Sequence, residues 1–366
     1  MKSSRTIRRL GSLNRRFARP CFSQGEEIVQ PARQASSSTV PGIIETLSAG
    51  FEHLNRVLWV TVIPIAVDLL LWLGPQVTAE PVIARLARWY EGIARSYTAM
   101  VGESVDAATV DQARQAITEL EAKAGHFDLL SLLVVNIASV PSILPSASPL
   151  APTIQVGTVE ALVGIIVGAQ LLGILIGCLY LGIMGQQIRD GRVELPVLGR
   201  KVLGYWLNIV GFLLLVIGVS VGISIPVGLA MGVAQLVMPG AGAVLLQVVS
   251  AAAEIGAILL LIYLFFLVDA IVLSEVGPVR AALNSARVVA SNFWPTLGFI
   301  ALIYVITLGM QVIWTALSGT LLGTAVAIVG NAYIASGLTA ASLLYYQTRA
   351  ARLALANGVP ERSDRP

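Results

Sequence analysis

The chain has 366 residues, 56% of them hydrophobic and 12% charged, with a formal net charge of +3. Soluble domains carry roughly 25% charge, so this composition excludes a water-soluble globular protein, and a mean hydropathy of +0.79 makes lipid the solvent. Two cysteines, Cys21 and Cys178, and two isolated histidines, His53 and His126, exclude a disulfide framework and a recognisable metal or cofactor centre.

Residues 1–41 read as a basic, linker-like cytoplasmic tail, with Lys2, Arg5, Arg8, Arg9, Arg15, Arg16 and Arg19 and no acid in the first 25 positions. Residues 42–56 put Ile43, Ile44, Leu47, Phe51 and Leu54 on one stripe, which predicts an interfacial helix. The first span follows at 57–74, with Trp59 and Trp72 near its ends. A long excursion occupies 75–157. Within it, 81–100 predicts an amphipathic helix with a stripe of Val82, Leu86, Trp89, Ile93 and Tyr97. Thr109-x-x-Gln112 opens a second helix over 109–124, and the two form a cap over the bundle. Residues 127–144 are apolar but hold Asn136 and Pro141, which predicts a re-entrant or interfacial segment. Five further spans lie within 158–346, at 158–184, 202–232, 243–273, 294–317 and 321–346. Each exceeds the ~20 residues that cross a bilayer core, and Pro226 marks a kink or end in the third span of the chain. Residues 347–366 read as a cytoplasmic tail.

With six spans, 19 of the 24 basic residues fall on one side. The other five lie in the 75–157 excursion, where eight acids outnumber them. The positive-inside rule then puts both termini in the cytoplasm. The fold class expected is all-α: a polytopic membrane bundle of about six helices with a small helical extracytoplasmic insertion, located in the plasma membrane.

No span contains Lys or Arg, while Asp68, Glu254 and Asp269 sit in apolar runs. Ionisable residues there are expensive and mark candidate sites. At ~1.5 Å per residue, Asp68, Gln170, Glu254 and Asn331 fall near one layer, as a buried structural network or as a proton or cation site. Asp269 is expected to mark the end of its helix near the cytoplasmic surface. Gly164/Gly168, Gly173/Gly177, Gly218/Gly222 and Gly228/Gly232, with Gly323, Gly330 and Gly337 at intervals of seven, form close-packing faces for neighbouring helices, a membrane partner or a second copy. The connection 274–293 is amphipathic: Val279, Leu283, Val288 and Phe293 can lie on lipid while Arg280 and Arg287 reach lipid phosphates.

Residues 266–300, FLVDAIVLSEVGPVRAALNSARVVASNFWPTLGFI, run from a span end through a Gly-Pro turn into Asn-Phe-Trp. With the exit LLYYQTR ending at Arg349, this resembles the multi-pass membrane domain associated with bacterial glycerophosphoryl diester phosphodiesterases and related integral membrane proteins. The resemblance covers about the last 200 residues and departs from the family's pattern at Gln347, near which an acid is usual. It implies a six-helix membrane domain and no phosphodiesterase activity, because that chemistry needs clustered histidines and acids. No P-loop, nucleophile elbow or zinc motif occurs, and the charge gives no case for nucleic acid. The expected function is non-enzymatic membrane organisation or binding of lipid or partner proteins. The alternatives are a transporter or channel using Asp68 and Glu254, and a membrane-embedded lipid enzyme.

Overall fold

The computed structural model describes residues 41–101, 127–145 and 151–356, with isolated positions between 115 and 119. The expected tail 1–40, nearly all of the helix at 109–124, and residues 357–366 lie outside them. In chain order the elements are α1 (Ile43–Arg56), a 3-10 turn (Leu58–Thr61), α2 (Val62–Leu73), β1 (Gln76–Thr78) and α3 (Glu80–Val101). A second 3-10 turn (Leu129–Leu133) and β2 (Thr153–Gln155) follow. The remainder is α4 (Val159–Asp190), α5 (Leu195–Val237), α6 (Pro239–Tyr263), α7 (Leu267–Ser274), α8 (Pro278–Ser291), α9 (Phe293–Leu317) and α10 (Leu321–Ala356). This is an all-α helical bundle, and its long apolar helices make it a multi-pass membrane protein.

Among the described residues, five helical stretches are long and apolar enough to cross a membrane: α4, α5, α6 with α7, α9 and α10. A sixth exists if α1 and the stretch Leu58–Leu73, bent by 89°, count as one. The helix ends obey local chemistry. Thr158 Oγ1 accepts from the Ala161 N–H at 3.3 Å to open α4. Gly191 closes it at φ +70°, a left-handed cap that glycine adopts without strain. Prolines stand in the first turns of α5, α6 and α8, where a missing N–H costs no helical bond. Pro226 does not end its span; α5 continues through it. The last helix also runs past the expected boundary at 346, to Ala356, and Arg349 is buried in it.

The core lies where α4, α7, α8 and α10 meet, around Cys178, Phe266, Phe299 and Tyr345. Tyr180 Oη donates to Ser336 Oγ at 2.8 Å, tying α4 to α10. The outer parts of α5, α6 and α9 leave most of their apolar side chains exposed, as lipid-facing helices do. The most extensive helix pairing joins α1 to α10. A Cβ at Gly50 would stand 2.7 Å from Ala341, and one at Gly337 would stand 2.3 Å from the Phe51 ring. Tyr333 Oη donates to Asn55 Oδ1 at 3.2 Å across the same contact. The inward face of α1 is therefore Thr46, Gly50 and Leu54, while Ile44, on the apolar stripe of the expected interfacial helix, is exposed.

Two three-residue strands that the sequence reading did not anticipate pair in parallel, with Val77 opposite Ile154. They frame a satellite core of Val77, Ala79, Leu129 and Val156. Among the residues of α3 whose side chains are described, Val82 and Ala87 are buried. Its predicted stripe of Leu86, Trp89 and Ile93 is exposed, so within the described residues it covers no bundle.

Candidate functional site

Segment 127–145 holds only the short 3-10 turn as regular structure, yet much of it is buried against α4 and α2. Lipid cannot satisfy an irregular backbone, so protein must. Asp128 Oδ1 accepts from the N–H groups of Leu130 and Val77, each at 3.0 Å. Asn136 Nδ2 donates to the Leu133 carbonyl at 2.8 Å, and its Oδ1 accepts from the Ala138 N–H at 3.0 Å. Gln170 Nε2, from α4, donates to the Val135 carbonyl at 3.0 Å. Asp68, fully buried on α2, accepts from Ser142 Oγ and from the Ile143 N–H, the latter at 3.2 Å. Glycine allows the close approach: a Cβ at Gly173 would lie 2.2 Å from the Leu133 carbonyl oxygen, and one at Gly177 would lie 1.7 Å from that of Ala138.

A second irregularity interrupts the span formed by α6 and α7. Residues 264–266 leave the helix, and the buried Ser285 of α8 bridges the gap. Its Oγ accepts from the Phe266 N–H at 3.1 Å and donates to the Tyr263 carbonyl at 2.8 Å. Phe266 stacks on Tyr345 and Phe299, with ring centroids 5.4 and 6.5 Å away. Thr296 and Tyr345 share a hydrogen bond of 3.1 Å behind the stack. The break frees α7 to present Asp269 in its first turn.

Between these two features lies a cavity of about 270 Å³. Ile137, Ser139 and Pro141 of the irregular segment line one side, and Phe265 and Asp269 another. Thr307 of α9 and Thr339 and Ser342 of α10 contribute hydroxyls, and Leu181 and Ile303 contribute apolar wall. Asp269 is buried, and Ser342 Oγ donates to its Oδ2 at 2.6 Å.

The four residues expected to form one layer are distributed differently. Asp68 and Gln170 hold different points of the same irregular segment. Asn331 is buried on α10. Glu254 is exposed on α6, which packs against α5 and α8 and so stands away from the other three. Asp269, expected to mark a helix end, is instead the acid of the cavity, because the break at 264–266 places it at the start of a new helix. The sequence reading missed Ser285 and Ser342; the available signal was a hydroxyl on the apolar side of each helix. On α8, Arg280, Leu283 and Arg287 are exposed as expected, whereas Val288 turns into the core.

An ion cluster closes the end of the bundle just beyond α7. Glu275, held at φ +52°, accepts from Lys201 Nζ at 2.6 Å, from Tyr205 Oη at 3.3 Å and from the Arg189 guanidinium. Burial pushes its carboxyl up, but Lys201 and Arg189 together outweigh that and hold it below the ordinary value. Nearby, the buried Arg349 guanidinium lies 3.3 Å over the Tyr345 ring.

The fold is that of a multi-pass helical membrane protein, with an open pocket of mixed polar and apolar lining between its helices. Compared with known protein families, curated proteins and solved structures, the chain matches none. Among the described residues, no group of three or more His, Cys, Asp and Glu could hold a metal ion.

Proposed function

We propose that this is a non-enzymatic membrane protein that binds a small solute in the Asp269 cavity and passes it across the bilayer. One observation carries the reading: the irregular segment and the helix break border the same cavity. Irregular backbone at membrane depth is tolerated where protein buries it or where it lines a cavity, and discontinuous helices are how many transporters build a site. This favours transport over envelope organisation, with Asp269 in the role first expected of Asp68 and Glu254. The distribution of basic residues supports a plasma-membrane orientation with cytoplasmic termini. The exposed Arg280 and Arg287 support lipid head groups as neighbours of α8. On this reading, the pattern resembling the phosphodiesterase-associated membrane domain encodes a broken span, since residues 266–300 include both Phe266 and Ser285.

The test is solvent access. In a Cys21→Ser, Cys178→Ala background, Thr339→Cys and Ser139→Cys are exposed to membrane-impermeant methanethiosulfonates of either charge, applied to each face of reconstituted vesicles. A transport cavity is modified from both faces, each at its own rate. A folded protein modified from neither face, or from one face only, rules out passage through this cavity.

A further inference from the structure

We infer that the ligand of this cavity is a small organic cation, an ammonium of about choline size, with Asp269 as its counter-charge. The inference rests on the cavity being the solute site. Asp269 is the one ionisable side chain in the lining. A lone carboxylate facing such a space repels anions. The basic residues Arg189, Lys201 and Arg349 do not line the cavity.

The remaining chemistry narrows the class. Ser342 takes Oδ2 of Asp269, and among the described residues Oδ1 receives no hydrogen bond. Thr339 Oγ1 donates to the Ala335 carbonyl at 2.9 Å, so its hydroxyl hydrogen is not offered to an anion. A bare divalent ion wants six or more oxygens, and one carboxylate with a few hydroxyls falls short. An organic cation matches the walls better: Leu181 and Ile303 suit its carbon body, and Phe265 offers a ring to its charge. A pocket of about 270 Å³ has room for a solute of several heavy atoms. The pairing also solves a membrane problem, because cation and carboxylate together form a neutral unit where either charge alone is costly.

The experiment compares choline with its uncharged isostere 3,3-dimethylbutan-1-ol on the full chain in nanodiscs, by calorimetry and by displacement of labelled choline. The expected result is that choline binds and the isostere binds at least about tenfold more weakly, as loss of a charged partner implies. Asp269→Asn is expected to lose the preference, and Asp269→Glu to retain it. Equal binding of the two probes overturns the inference, as does an absence of choline binding. If Asp269→Asn fails to fold, the wild-type comparison decides alone. Cysteine access from both faces without choline preference rejects the cation and leaves the transport reading standing; loss of both rejects both.

Discussion

At position 177 a hydrogen atom stands where any other residue would put carbon 1.7 Å from the Ala138 carbonyl oxygen. The oxygen belongs to backbone that Asn136, Gln170 and Asp68 hold in place, so it cannot retreat cheaply. Gly177→Ala should therefore destabilise by about 3 kcal/mol or more, as severe overpacking does. Gly168→Ala, whose new methyl meets open space, should leave the melting temperature in detergent unchanged. Equal melting temperatures for the two variants would contradict this account. The comparison also marks what could be read in advance. Gly164/Gly168 and Gly173/Gly177 have the same spacing, and spacing reveals a groove without its occupant. Asp68 was legible as a residue out of place in lipid, but its partners lie 74 and 75 positions away, and no local pattern connects them. Asp269 was misplaced because residues 264–266, Leu-Phe-Phe, contain neither Gly nor Pro; the break is stabilised by a tertiary contact from Ser285.

Among the elements, α7 is a short lever between two unusual ends. One end is the break, where loss of Ser285 would strand buried backbone groups worth ~1–3 kcal/mol each. The other is Glu275, which joins α7 to α4 through Arg189 and to α5 through Lys201 and Tyr205. Because the folded carboxyl titrates below its ordinary value of 4.5, its contribution to stability is complete above that value. The contribution is lost as pH falls through the lower folded value. Melting temperature should accordingly drop on acidification from about pH 5 to about pH 3, and Glu275→Gln should flatten that part of the profile while lowering the plateau above it. An unchanged profile would show that the cluster is decorative, as exposed ion pairs often are. Long apolar helices were legible from hydropathy alone. The parallel pair of three-residue strands was not, since such short strands owe their existence to the chain segments that meet there.

For the whole molecule, the count of crossings depends on the amino-terminal region. Helix α2 alone, at ~1.5 Å per residue, is about 18 Å long and too short to cross. The pair bent by 89° reaches a sixth crossing only as a unit. A sixth crossing would put the amino terminus on the same side as the carboxyl terminus, since five candidate crossings follow the 75–157 excursion in either case. The native Cys21, ahead of that pair in the chain, and Ala354→Cys, at an exposed position, should be labelled by an impermeant maleimide from the same face of sealed vesicles. Labelling of the two from opposite faces would remove the sixth crossing and the shared side of the termini with it.

The pairing of α1 with α10 carries its own consequence. Tyr333 and Asn55, which join these helices, are 278 positions apart, and Gly50 and Gly337 let the two helices approach closely. Among the described helices, the first in the chain thus pairs most extensively with the last. During synthesis the partner surface of α1 is made only after α4 to α9, so this pairing cannot form before them.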